Sequence, residues 1–403
     1  MKKEHIRVAF FPCVYHEVDG VAQTSRHFET FARRRGLPFF LVHAGMGNEI
    51  TIAGSSTRVQ LGRGPATFPL DRSHNYDLLF LRHYRRLARL VKDFRPDVVQ
   101  ITGPSDVGVL GALIAHRLHI PLAASWQTNV HQYAKSRASA AVRLLPSTLS
   151  SPFLGSVERW TFRAAARFYK IPQFLLAPNQ EIVQVLERKT GKPCNLMHHG
   201  VDTEVFNPQF REREGGPFRI GYVGRLTAEK NVRLLVRLEQ ALLAMGHQDF
   251  RIVVVGDGAE GRWLREHMRQ AEFTGVLIGR NLSRAFANFD VLAFPSETDT
   301  FGLVVLEAFA SGVPAVVTAV GGPKFTVRHG ITGYVANNFD DFVGFTAALL
   351  TQPDLLSSMR TAAREYALTA TWEHVYENMY EVYGRCLNSG QPVSSSIFDE
   401  ARI

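Results

Sequence analysis

Short apolar runs alternate with helical stretches along this chain, and past the midpoint the alternation starts afresh. Residues 8–11, 39–42, 98–101, 122–125 and 175–177 read as strands, with helical stretches at 21–35, 75–94, 107–118 and 138–168 between them. A second series of strand-like runs follows at 219–223, 251–255, 276–278, 291–294, 315–317 and 333–335. Strands that alternate with helices predict parallel sheets, because a parallel neighbour is reached only through a crossover. Two such series in 403 residues predict an α/β protein of two Rossmann-like domains. The break falls between about Met197 and Gly216, a segment that ends in the polar stretch from Arg211 to Gly216.

Composition narrows the class. The chain is 45% hydrophobic and 21% charged, which is globular. Its longest nearly apolar run, 107–115, is far short of the ~20 residues that span a bilayer. The opening run is interrupted by Pro12, His16 and Glu17, and reads as a first strand rather than a signal peptide. Three distant cysteines, Cys13, Cys194 and Cys386, build neither a disulfide framework nor a zinc site, and suit a reducing cytoplasm. A net charge of +9 suits partners that carry phosphate: nucleotides or an anionic membrane surface. No nucleic-acid-binding pattern accompanies the charge.

The segment from Val291 to Val317 carries the chemistry. An apolar run closes at Pro295, a loop holds Asp299, Phe301-Gly302-Leu303 opens a helix, and Glu307 lies inside that helix. The free N–H groups of a helix start favour an anion. Glu307 can accept a hydrogen bond from a hydroxyl beside that anion, such as a ribose. A phosphate cradle beside a ribose acceptor describes a nucleotide site.

Ser296 to Ala308, followed by Ser311-Gly312-Val313-Pro314, resembles the acidic-x7-Glu signature of the retaining glycosyltransferases of family 4, with Asp299 standing where the family's first Glu is usual. Gly224-Arg225-Leu226 and Glu229-Lys230-Asn231 resemble that family's phosphate-binding motif, and His199-Gly200-Val201-Asp202 resembles its interdomain connector. The resemblance implies the GT-B fold: two Rossmann-like domains facing a central cleft, with a C-terminal helix crossing back to the first. The expected division is an acceptor-side domain at 1–198, a donor-binding domain at 199–371, and at 372–403 the returning helix with a frayed tail.

The resemblance also implies roles. Arg225 and Lys230 would hold the donor diphosphate and stabilise its charge as the sugar leaves, while Asp299 would meet the sugar hydroxyls. Gly224, Phe301, Gly302 and Leu303 would present backbone to the phosphates, and Glu307 would bind the ribose. Gly279 and Arg280 would meet the base, though a surface cation on a loop is the plain alternative for Arg280. Gly20 and Val21 resemble the family's Gly-Gly-Val loop, with a plain helix start capped by Asp19 as the lesser alternative. Gln127 occupies the position of a family His that orients the sugar, and His131, four residues on, is the candidate imidazole. His16 and Asp106 are further candidates. There is no Asp-x-Asp pattern, so neither an obligatory metal nor another cofactor is expected.

The implied activity is retaining transfer of a hexose from a UDP-sugar or GDP-mannose to a hydroxyl acceptor. A nucleotide-sugar epimerase and a non-catalytic sugar-nucleotide binder are the alternatives. A nicotinamide dehydrogenase is excluded, because the segment from Phe11 to Gly20 lacks Gly-x-Gly-x-x-Gly. Basic residues gather in the first half: Arg33 to Arg35, then Arg82, Arg85, Arg86, Arg89 and Lys92, then Lys135, Arg137 and Arg143. Such a face suits a lipid or lipid-linked glycan acceptor at the inner membrane surface of a cytoplasmic, peripheral protein.

Overall fold

A computed structural model describes residues 5–16, 20–69, 75–127, 163, 165–212 and 215–389. They form two compact units. One holds the described residues up to His198 together with those from Val375 onward, and the other is His199–His374.

In the first unit the order is β1 (Val8–Phe11), α1 (Gly20–Arg34), β2 (Phe39–Gly45), β3 (Glu49–Ala53), β4 (Ser56–Gly62), β5 (Thr67–Pro69) and β6 (Asn75–Asp77). It continues through α2 (Tyr84–Phe94), β7 (Val98–Ile101), α3 (Asp106–Leu118), β8 (Leu122–Ser125), β9 (Phe174–Ala177), α4 (Gln180–Thr190) and β10 (Cys194–Leu196). Eight strands make one sheet in the order β10-β9-β8-β7-β1-β2-β4-β3, parallel except where β3 returns antiparallel on β4. The central strands β1, β7, β8 and β9 are buried throughout, which is why they are apolar apart from Gln100 and Ser125.

The second unit repeats the plan with β11 (Phe218–Val223), α5 (Leu234–Ala244), β12 (Phe250–Val255), α6 (Gly261–His267), β13 (Ala271–Gly275), α7 (Gly279–Ala287) and β14 (Val291–Phe294). Then come α8 (Leu303–Ala310), β15 (Ala315–Thr318), β16 (Gly333–Ala336), α9 (Phe339–Thr351), α10 (Pro353–Thr369) and α11 (Trp372–Ser389). Its six strands are ordered β13-β12-β11-β14-β15-β16 and all run parallel. In this sheet β11 has β12 on one side and β14 on the other, so chain order reverses between β11 and β14. Open parallel sheets bind ligands in the crevice at the carboxyl ends of two such strands.

The division between units falls within α11. From Val375 on, α11 packs tyrosines on α1: Tyr376 stacks on Phe28 at 4.8 Å, and its hydroxyl donates to Thr24 O at 2.6 Å. The Tyr383 hydroxyl reaches Gln100 Oε1 at 3.3 Å.

Two expected elements are corrected. The stretch 75–94 is not one helix: Asn75–Asp77 pairs antiparallel with Thr67–Pro69. The Asp77 carboxylate accepts from Gly64 N and Leu79 N, a local alternative to a helical turn. A 3-10 turn at Phe80–His83 then leads into α2. The strand expected at 276–278 lies earlier, at Ala271–Gly275, where Ile252 of β12 faces Ala271. Val276 and Ile278 are apolar but 66% and 67% exposed, so their side chains misled the apolar-run reading. The antiparallel β3 and the short β5, β6 and β10 carried no apolar run long enough to notice. Most of the helix expected at 138–168 lies outside the described residues.

Candidate active site

The crevice between β11 and β14 gathers the phosphate-binding candidates. The loop after β11 holds Gly224, Arg225 and Lys230, and the loop after β14 holds Asp299 and leads into α8. Strong local folding places each one. The Tyr222 hydroxyl donates to Arg225 O at 3.0 Å from beneath, and Leu226 N donates to Asp257 O at 2.9 Å. Tyr222 is fully buried, and burial pushes its hydroxyl well above the ordinary tyrosine value. The Arg225 side chain is half exposed and lies 3.8 Å from Glu229, so solvent screens that pair.

Lys230 is nearly enclosed, and its Nζ donates to Asp299 Oδ1 at 2.6 Å. Burial works to raise the Asp299 carboxyl, but Lys230, through its charge and hydrogen bond, holds it below the usual carboxylate value with help from Ser296 and Arg225. The two loops are joined again where Thr298 Oγ1 donates to Glu229 O at 3.1 Å and Asn231 Nδ2 to Glu297 Oε1 at 3.4 Å.

The helix start at α8 has the form an anion needs. Gly302 is its N-cap with φ 83°, a left-handed conformation that favours glycine. No side chain caps the helix, and the positive end of its dipole at the first turn favours an anion. Phe301 is buried and stacks on His199 with centroids 4.6 Å apart. Leu303 begins the helix and Glu307, nearly buried, lies one turn further along it.

The remaining candidates are dispersed. Gly279 and Arg280 open α7 rather than lying on a loop, and the Arg280 guanidinium sits 5.8 Å from the Phe210 ring. In the first unit Gly20 and Val21 open α1, and Gln127 is buried directly after β8. His131 lies outside the described residues, as do Asp19 and the basic residues Lys135, Arg137 and Arg143. Asp106 serves the fold: its carboxylate accepts from Val107 N and Asp77 N and pairs with Arg63 at 3.2 Å. His16 is exposed and packs edge-on against His43.

Sequence reading missed two features. Gly322 N donates to Asp299 O at 2.6 Å, so the turn after β15 braces the acidic loop from behind. The pair Gly321-Gly322 was the available signal. In the first unit a buried network anchors the loop after β1. Tyr15 donates to Glu29 Oε2, and Arg58 forks onto both Glu29 oxygens at 2.8 and 2.9 Å. His43 stacks on Tyr15, and burial lowers it to about 4. These residues are scattered along the chain and show no local pattern.

Known proteins share this architecture. The chain matches the family described as Glycosyltransferase Family 4 over residues 18–205 and the one described as Glycosyl transferases group 1 over residues 217–352. It is 31% identical to the sulfoquinovosyl transferase of Arabidopsis thaliana, over 91% of this chain and 71% of that one. It is also 31% identical to a GDP-mannose-dependent alpha-mannosyltransferase of Mycolicibacterium smegmatis, over 74% of this chain and 76% of that one. Among solved structures, sucrose-phosphate synthase from Thermosynechococcus elongatus superposes with a TM-score of 0.71 at 17% identity, covering 94% of this chain and 99% of that one. Anabaena HepE in complex with UDP and glucose superposes with a TM-score of 0.64 at 14% identity, covering 94% and 100%. With its two parallel-sheet units and relatives matched across both, the chain has the GT-B fold and belongs to glycosyltransferase family 4.

Proposed function

We propose that the protein is a retaining hexosyltransferase. It takes a hexose from a nucleotide-diphosphate sugar, a UDP-sugar or GDP-mannose, and moves it to the hydroxyl of a lipid or lipid-linked glycan. The observation that carries the donor half is the crevice of the second sheet. There Lys230, Arg225 and the uncapped start of α8 gather positive charge beside the Asp299 carboxylate. Positive groups fixed in place before the reaction stabilise charge that grows on a leaving diphosphate. That diphosphate can itself take the acceptor's proton on the same face of the sugar, so this route needs no protein base and no resident metal. The epimerase alternative is not supported: the plant and mycobacterial relatives named above are both transferases.

Thermal shift without metal and with a chelator tests the donor half. UDP, GDP and ADP and their common sugar conjugates are the ligands. A ligand at a hundred times its Kd adds about 2.7 kcal/mol to the native state, which raises Tm by about 5–10 °C for a unit this size. A shift confined to one base would name the donor. No shift with any nucleotide would remove the basis of the proposal.

The acceptor half rests on the first unit. No helix of the described residues is long and apolar enough to cross a membrane. Instead Leu78, Leu79 and Leu81 are 67%, 57% and 49% exposed just before α2, which carries exposed Arg85, Arg86, Arg89 and Lys92. Exposed leucines beside cations suit anionic lipid at the cytoplasmic membrane face. At about 1 kcal/mol per cation, replacing Arg85, Arg86 and Arg89 by Gln should weaken co-sedimentation with phosphatidylglycerol vesicles about a hundredfold at low salt. Equal binding by the variant would place the contact elsewhere. Failure of the unsubstituted protein to bind would count against a lipid acceptor.

A further inference from the structure

The second unit opens at His199, and its first segment, His199 to Phe206, is fastened to α8 at both ends. At the far end the Arg364 guanidinium of α10 donates to the carbonyl of Ala310, the last residue of α8, and also to Phe206 O at 3.1 Å and Thr203 O at 3.3 Å. At the near end the His199 ring stacks on Phe301, the residue before the α8 N-cap, with centroids 4.6 Å and planes 30° apart. Both rings are buried, and the Trp372 ring stands 6.1 Å from His199 at a steep angle. Between the two ends the segment is clasped to the start of α11. Val201 N donates to Ala370 O at 2.9 Å, and a Cβ on Gly200 would stand 2.4 Å from Trp372 N, so glycine lets the two backbones run this close. The stack is the fastening at the end of α8 that favours an anion. A Cβ on Gly322 would stand 2.5 Å from Phe301 N, so the Gly322 turn bounds the Phe301 backbone while the His199 ring bounds its side chain.

We infer that His199 is a positioning residue for the donor diphosphate. It acts through Phe301: the stack sets where Phe301 stands, and with it the first turn of α8, while His199 itself does not touch the ligand. The inference rests on the donor-site reading above and goes beyond it, because it gives the segment at His199 a part in gripping the phosphates. A helix start binds an anion well when its groups are already in place. A first turn that wanders must be ordered by the ligand, and that cost is subtracted from the affinity. The coupling runs both ways. Phosphates that fix the first turn also fix His199, and so tighten the clasp of Val201 on Ala370.

Calorimetric titration tests this with UDP, GDP, UDP-glucose and GDP-mannose on the unsubstituted protein, His199→Ala and His199→Phe, each well below its own Tm. Ala removes the stack. It should weaken the bare diphosphate and its sugar conjugate alike, about three- to tenfold, the worth of one aromatic pair. Phe keeps a flat ring without the imidazole nitrogens and should restore affinity to within about twofold. Hydrogen exchange reads the reverse direction. Saturating nucleotide should slow the Val201 amide beyond the slowing that mass action gives the core strand β12. That excess should appear in the unsubstituted protein and in the Phe variant, and be lost in Ala. Should His199→Ala not fold, His199→Leu, which fills the space without a ring, carries the same expectation. Unchanged affinity in the Ala variant, a loss that Phe does not restore, or excess slowing at Val201 that survives in Ala overturns the inference alone. An unsubstituted protein that binds no nucleotide overturns the donor-site reading and the inference with it.

Discussion

Lys230→Met is expected to lower kcat/KM for transfer about 10²–10³-fold, the usual cost of removing one preorganised group that stabilises transition-state charge. Methionine approximates the length and volume of the lysine stem, so packing is largely kept. The lost ammonium is nearly enclosed, and water has little room to take its place. Lys230→Arg keeps the charge but replaces a compact point charge with a planar fork, and should recover part of the rate. The Met change also leaves the Asp299 carboxylate without its ion-pair partner, so some stability is lost, and Tm must be read beside the rate. A fall in rate at an assay temperature well below the new Tm assigns the effect to the reaction. A change within threefold would remove Lys230 from the charge-stabilising set.

Gly322→Ala should weaken both the fold of the second unit and the donor site. A Cβ at Gly322 would stand 1.9 Å from Thr300 O and 2.1 Å from Thr300 C, both backbone atoms. No rotamer relieves such a contact, so one of the two turns must shift. Overpacking of this kind costs about 1–3 kcal/mol. The shift would fall on the loop that carries Asp299, because Gly322 N donates to Asp299 O. The expected result is a lower urea midpoint together with a donor KM raised more than Tm alone would explain. Gly344→Ala is the control, because its Cβ would meet nothing within 4 Å. If Gly322→Ala matched that control in both measurements, the turn would not brace the acidic loop.

Much of the architecture was legible because buried parallel strands are locally apolar. Val291–Phe294 is a continuous apolar run and Val98–Ile101 is one broken only by Gln100, because burial on both faces favours apolar side chains. The same rule misread 276–278, where exposed apolar residues follow a strand whose members include Glu272 and Thr274. It also misread 75–77, where an antiparallel partner six to ten residues earlier and the Asp77 carboxylate outweigh the helical pattern that follows. Candidate site residues were legible where they are packed into one stretch, as from Asp299 to Glu307. They were hidden where their place depends on a neighbour remote in sequence, as with Glu29 and Arg58.

Local order along the chain was enough to set two parallel sheets and to locate the two loops that carry cations and carboxylates. Apolar runs, turn glycines and helix starts act over a few residues and are visible in any short window. That Lys230 faces Asp299, 69 positions away, was decided by sheet order, which sets β11 beside β14 and brings their carboxyl ends together. The bracing of Asp299 by Gly322 and the anchoring of Tyr15 by Glu29 have the same origin. Hydrogen bonds and charge pairs act over a few ångströms, and only the folded chain brings these groups within that reach.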